Sequence, residues 1–482
     1  MLRITDYVHS SDDTDSYMRT IHSLRAQTLN LGEAMPGCRI LSFTSCRLPE
    51  LPSIACLKST LETLNLTRCS LIQQLPVDLG EFARLNYLSL ECPKLCCLPD
   101  SLGMCDALEV LNLQGCDQIT QLPESLGRLK ALRVLTVHGC EGLARLPESL
   151  GQLPELALFS MGSCPAITKL PQSFGKLAAL TDFTVRACDR LTQLGSLSEL
   201  EAILNIEFNN CLLLSDLTLS LLDSLRTLKI VSMWSLTRLP DALGHLAKLS
   251  TLYIRDLKRL TALPELHLIE LHTLEISHTF LTRLPESLGN LAQLGVLELD
   301  HCEELECLPQ SLGLLEALEK LHLTNCFGIT WLPDSLGNLA KLRELNLRNC
   351  TSMTQLPETL GKLNELQILD VCGATRLSRL PDSLGSLQSL EYIFAENCIG
   401  LRRLPATLGR LESLVWAHFR GCSELTSPPY EICFGRWPNM REFLQRQDTL
   451  FHVFILILAA RRATTSHLPE EVWGLLINNN KV

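Results

Sequence analysis

The stretch Leu122-Pro123-Glu124-Ser125-Leu126-Gly127-Arg128-Leu129-Lys130-Ala131-Leu132-Arg133-Val134-Leu135-Thr136-Val137-His138-Gly139-Cys140 decides the fold. Leu135 and Val137 alternate with Val134, Thr136 and His138, the period of a strand with one buried face. Pro123 fixes φ and removes a donor, so one segment ends there and a turn or short helix begins. Gly127 is expected to let the backbone bend towards Leu129 and Leu132. So short a segment cannot bury its own leucines, and its neighbours supply the rest of the core.

Working outward, Leu-Pro recurs at Leu51, Leu75, Leu98, Leu122, Leu146, Leu170, Leu239, Leu263, Leu284, Leu308, Leu332, Leu356, Leu380 and Leu404. Degenerate copies stand at Leu194-Gly195 and Leu217-Thr218, and Pro428-Pro429 closes the series. Most intervals are 24 residues, and the shorter ones, 21 to 23, gather mostly between Leu194 and Leu284. Such a period means a solenoid, in which stacked units share one continuous core. The expected architecture is α/β: about 17 parallel strands lining a concave face, with short helices or turns on the convex face. Residues 1–37 are expected to cap the start, 38–428 to form the solenoid, and 429–482 to form a helical cap and tail.

The general form, L-x-x-L-x-L-x-x-C-x-x-L-x-x-L-P-x-S-L-G, resembles the leucine-rich repeat family over about residues 38–428. It looks most like the repeat region of plant intracellular immune receptors. It is also similar to plant Ras-group-related leucine-rich-repeat proteins, which usually carry Asn where this chain has Cys. The resemblance implies a horseshoe that recognises proteins in signalling or defence. Those receptors place a nucleotide-binding module ahead of their repeats. Here about 37 residues precede the repeats and G-x-x-x-x-G-K-[ST] is absent, so the chain is expected to match the sensor and lack the switch.

Composition narrows the function further. Apolar residues are 46% and charged residues 20% of the 482, which excludes extended disorder. A net charge of −11 disfavours nucleic acid, since counterion release needs a basic surface. The apolar run from Leu450 to Ala460 is too short for a membrane span, and no secretory leader is expected at the start. The 21 cysteines are odd in number and widely spread, which points to a reducing, cytoplasmic setting.

Thirteen cysteines share one repeat slot just past the strand: Cys46, Cys69, Cys92, Cys116, Cys140, Cys164, Cys188, Cys211, Cys302, Cys326, Cys350, Cys398 and Cys422. A small buried residue with a weak S–H donor suits a turn that leaves backbone groups unpaired. Met233, Leu257 and Thr279 replace it where the units shorten, so local irregularity is expected around 195–285. Cys96, Cys97 and Cys307 precede Leu-Pro and are expected to be exposed. They have no paired C-x-x-C spacing, and neither metal nor cofactor is expected.

Neither G-x-S-x-G nor H-E-x-x-H occurs, and the chain is expected not to be an enzyme. His278, His301 and His322 lie on consecutive units near Glu275, Glu298 and Asp300; such a cluster can bind metal or do acid–base chemistry, but on an open face it is read as a polar recognition surface. Along the centre of the sheet, Ser42, Asn65, Ser89, Asn112, Thr136, Ser160 and Thr184 give way to charged and aromatic residues. The candidate protein-binding residues are Tyr253, Glu275, Glu298 and His322, and a patch of Tyr392, Phe394, Glu396, Trp416, His418 and Arg420. Trp, Tyr and Arg are the side chains that most often dominate interfaces. A helix is expected over Met440 to Arg462, shielding the last unit and open to the alternative that it covers the patch. Residues 467–477 are read first as a second capping helix, and they also resemble the opening helix of an F-box. The alternative function is therefore a ubiquitin-ligase substrate adaptor that docks a ligase subunit there.

Overall fold

The computed structural model describes residues 18–22, 37–428 and 437–462, and the chain divides into two units, one up to Leu260 and one from Thr261. The first unit carries β1 (Met18–His22), β2 (Ile40–Thr44), β3 (Thr63–Thr67), β4 (Tyr87–Leu90), β5 (Val110–Gln114), β6 (Val134–His138), β7 (Leu158–Gly162), β8 (Asp182–Arg186), β9 (Asn205–Asn209), β10 (Thr227–Val231) and β11 (Thr251–Arg255). The second carries β12 (Thr273–Ser277), β13 (Val296–Asp300), β14 (Lys320–His322), β15 (Glu344–Asn346), β16 (Ile368–Asp370), β17 (Tyr392–Phe394) and β18 (Trp416–His418), then the helix α1 (Trp437–Arg462). Within each unit every strand pairs in parallel with its predecessor in the chain, rung on rung. The seventeen strands β2–β18 are those the repeat predicts, and β1 is an additional rung whose Met18–His22 lies beside Ile40–Thr44.

The repeat slots have distinct jobs. Leu126, Leu129, Leu132, Leu135 and Val137 of the founding stretch are fully buried, and their counterparts on the other rungs are buried as well. In the first unit this core thickens into a ring cluster, with Phe159 and Phe174 centroids 5.2 Å apart and Phe183 and Phe208 5.6 Å apart. Opposite the strands, Pro123 precedes a 3-10 helix at Glu124–Arg128, entered with the proline's φ at −70°. The glutamate after Leu-Pro reaches the next rung. Glu124 accepts from the Ser149 backbone N–H at 3.0 Å, Glu286 from Ser311 at 3.1 Å and Glu358 from Ser383 at 3.2 Å. Each caps a neighbouring helix start, where donors lack intrahelical partners.

Gly127 has a different reason from the bend expected of it. Its φ is not left-handed; a Cβ there would lie 2.2 Å from the backbone oxygen of Ser149 on the next rung. Close approach of rungs demands the glycine. Likewise the cysteine slot is a rung-to-rung donor. Cys350 Sγ donates to the Leu323 carbonyl at 3.0 Å, Cys398 to Val371 at 3.0 Å, Cys422 to Ala395 at 3.1 Å and Cys69 to Phe43 at 3.5 Å. Burial pushes the Cys350 thiol up to about 12 and the Cys211 thiol to about 11. Cys96 and Cys97 are exposed as expected, while Cys307 is half-buried.

The irregularity expected around 195–285 takes the form of missing helices. The rungs opened by Leu194 and Leu217 in the first unit, and by Leu263 in the second, have no described 3-10 helix. None of these three rungs has Pro-x-x-x-Gly after its leucine. Met233 and Leu257 fill the cysteine slot with buried apolar bulk, and Thr279 keeps a donor there, 3.4 Å from Cys302 Sγ.

Candidate functional site

In each strand the residues between the buried leucines and valines form columns on the open side of the sheet, and the strand register fixes which side chains adjoin. In the first unit residues of the central column bond to one another. Asn65 donates to Ser42 at 3.2 Å, Asn112 to Ser89 at 3.3 Å and Thr136 to Asn112 at 2.6 Å. Further along, Arg186 binds both oxygens of Glu207 at 2.9 and 2.8 Å. That contact comes first in holding the Glu207 carboxyl below its ordinary value, against the opposing effect of burial. Tyr253 stands on β11 in register with Lys229, and Arg255 donates to its hydroxyl at 3.4 Å.

The second unit is different in kind. Its central column reads Glu275, Glu298, His322, Asn346, Asp370, Phe394 and His418, each in register with the next. His322 lies between two carboxylates, 3.4 Å from Glu298 and 3.4 Å from Glu344, and Lys320 meets Glu344 at 2.8 Å. Burial pushes Glu344 up, but Lys320 and His322 outweigh it and hold the carboxyl below its ordinary range. Arg348 faces Asp370 at 3.5 Å. On and just past these strands, Glu275, Glu298, Asp300, Glu344, Asp370 and Glu396 outnumber Lys320, Arg348 and Arg420, so the face is net acidic.

The last two strands carry the rings. Tyr392 is in register with Trp416, and Phe394 with His418. Tyr392 and Phe394 stack with centroids 6.2 Å apart, and Trp416 and His418 lie 4.7 Å apart. Glu396 fixes the His418 imidazole through Nδ1 at 3.0 Å. Arg420 is exposed just beyond β18, and its backbone carbonyl accepts from Asn397 N–H at 2.7 Å. The register thus sets Tyr392 and Phe394 beside Trp416 and His418, with Glu396 bonded to His418.

Helix α1 begins at Trp437, three residues before the expected start, with Pro438 in its first turn, where a missing N–H costs nothing. It packs on the 3-10 helix Ala406–Arg410, across the unit from the rings. Arg410 binds both carboxylate oxygens of Asp448 at 2.7 and 2.9 Å, and Gln445 donates to the Gly409 carbonyl at 2.9 Å. Met440 and Leu444 are buried. The described part of the tail leaves Trp416 47% exposed. The F-box-like segment 467–477 and the strand-like Leu29-Asn30-Leu31 lie outside the described residues.

The histidine trio of the sequence reading is two arrangements. His322 belongs to the sheet face, whereas His278 and His301 sit in the turn past the strands, their rings stacked 4.3 Å apart. That turn holds a ladder which the sequence reading missed. Asn349 donates to Asn325 at 2.8 Å, and Asn325 to Asp300 at 3.1 Å. Its residues share a left-handed backbone, with φ of 52°, 51°, 58° and 58° at His278, His301, Asn325 and Asn349.

Among the described residues no helix is long and apolar enough to cross a membrane. A family profile described as a leucine-rich repeat region matches residues 333–416. No curated protein sequence matches the chain. Among solved structures it is similar to the Drosophila Toll–Spatzle complex, at 18% identity and a TM-score of 0.56, over 76% of this chain and 54% of that one. This likeness is one of fold, and the chain covers about half of that neighbour's length. A leucine-rich-repeat protein of Leptospira interrogans is 20% identical with a TM-score of 0.41, over 84% of this chain and 90% of that one. The Arabidopsis receptor kinase HAESA, in complex with the peptide hormone IDA and a co-receptor, is 19% identical with a TM-score of 0.40, over 80% and 70%. The repeat, its ladder geometry and the matched segment make this a leucine-rich-repeat solenoid and support its place in the leucine-rich-repeat family.

Proposed function

We propose that the chain is a non-enzymatic recognition scaffold, and that the open sheet face of its second unit binds a protein partner. The footprint centres on Tyr392, Phe394, Trp416 and His418, with Glu396 and Arg420 at its edge and Glu275, Glu298 and His322 extending it along the strands. One observation carries the reading. Four ring side chains meet on two adjacent strands of an aromatic-poor chain, Trp416 exposed and the others half-buried, while helix α1 packs elsewhere. The acidic excess along the same face favours a partner segment that presents Lys or Arg together with apolar side chains, since complementary charge speeds encounter and fixes register. In this reading 1–37 and 429–482 act as end caps to a solenoid of 38–428. The ladder of S–H donors suits a reducing compartment such as the cytoplasm, and a sensing role in signalling or defence fits such a scaffold. The Drosophila neighbour, seen in complex with Spatzle, offers a parallel for protein binding by this fold.

The test begins with cross-linking mass spectrometry to identify the partner in native extracts, followed by affinity measurement. Tyr392→Ala with Trp416→Ala should weaken binding at least about 30-fold, as expected for losing about 2 kcal/mol at a ring hot spot. Ser89→Ala with Thr136→Ala should leave it unchanged. Equal effects from the two pairs would refute the assignment.

A further inference from the structure

Beyond that reading, we propose that His278, His301 and Asp300 form a binding site for a borderline transition cation, with Zn2+ as its representative. The two histidines occupy the same turn slot on successive rungs. Their backbones are locked by rung-to-rung bonds, His278 N–H to the Asp300 carbonyl and His301 N–H to the Thr324 carbonyl, both 2.9 Å. The left-handed φ of 52° and 51° turns both side chains the same way and sets the imidazoles face to face, 4.3 Å apart and 19° from parallel. One nitrogen from each ring and one carboxylate oxygen of Asp300 lie within 4.8 Å of one another, on partly exposed side chains that an ion can reach.

Supporting groups hold the carboxylate in place. Asp300 Oδ1 lies 2.9 Å from His301 Nδ1 and accepts from Asn325 Nδ2 at 3.1 Å; Asn349 in turn donates to Asn325 at 2.8 Å. Outer groups of this kind orient metal ligands and tune their affinity. Zinc–nitrogen and zinc–oxygen bonds of about 2.0–2.2 Å require the three atoms to draw together by about an ångström, a side-chain rotation at a half-exposed site. Two imidazoles and one carboxylate select Zn2+, Ni2+ or Cu2+ over Ca2+ and Mg2+, which take oxygen ligands. Three protein ligands leave at least one position for water, so the ion would exchange.

The repeat supplies a conservative probe. Asn already occupies this slot at Asn325, Asn349 and Asn397 with φ of 58°, 58° and 59°, so His278→Asn and His301→Asn remove the imidazoles without straining the turn. Isothermal titration of the full chain with Zn2+, its thiols kept reduced, should show one equivalent bound. The double variant should lose at least about 100-fold in affinity, and Asn325→Ala about 10-fold. His322→Asn, on the sheet face, should change nothing. Co2+ bound in place of Zn2+ should show weak visible bands and no thiolate charge-transfer band. Absence of Zn2+ binding by the unaltered chain, its retention by the double variant, or a thiolate band would each overturn the proposal.

Discussion

A methyl group on Gly127 would lie 2.2 Å from the Ser149 backbone oxygen, so one of the two rungs would have to shift. Gly127→Ala should therefore cost about 3 kcal/mol by overpacking, read as a fall in the denaturation midpoint. The cysteines divide by the same geometry. The ladder thiols are buried, and burial pushes those of Cys92, Cys211 and Cys350 up, so these are poor nucleophiles. Alkylation of the native protein should modify the exposed Cys56, Cys96 and Cys97 first, and reach Cys350 only on unfolding, as followed by peptide mass spectrometry. The cysteine and glycine slots were legible in the sequence because one residue type recurs at one spacing. The turn ladder was not. Its left-handed slot is held by Ser45, Arg68, Ala187, Asp256, His278 and Asn325 among others, residue types with no common signature in the sequence.

At the level of elements, a strand and a 3-10 helix per rung follow from period and proline, and the missing helices at Leu194, Leu217 and Leu263 go with the loss of Pro-x-x-x-Gly. What sequence could not give was the side on which the terminal helix docks, since the apolar residues of Met440–Arg462 suit either face of the last rung. The structure decides it through Arg410, Gly409 and Leu444. Leu444→Ala should cost about 2–4 kcal/mol. Because each rung leans only on its neighbours, hydrogen exchange should rise first at Trp416–His418 and leave β12 unchanged. The Arg186–Glu207 pair on β8 and β9 is a smaller effect. Glu207 has a depressed carboxyl value in the folded protein, so its contribution, under about 1 kcal/mol, is present above its ordinary value of 4.5. That contribution is lost as pH falls through the folded value. Glu207→Gln should thus lower stability at pH 7 and make no difference in strong acid, as measured by urea unfolding at each pH.

For the molecule as a whole, repetition builds an inert core so that one face can vary. The second unit's face combines carboxylates with a ring cluster, and binding there should slow in on-rate as salt rises from 50 to 500 mM, roughly tenfold, as screening removes steering of a cationic segment. The sequence placed Tyr392, Phe394, Trp416 and His418 together because register in a parallel stack follows directly from the repeat interval. It could not show whether the cap lay over them, which depended on tertiary docking. Hydroxyl-radical footprinting of the chain with and without its partner tests the account most directly. Trp416 and Trp331 are comparably exposed, at 47% and 42%, but Trp331 stands off the strands, just before a Leu-Pro turn. Protection of Tyr392 and Trp416 with Trp331 unchanged is the predicted result; protection of Trp331 with Trp416 still fully oxidised would contradict it.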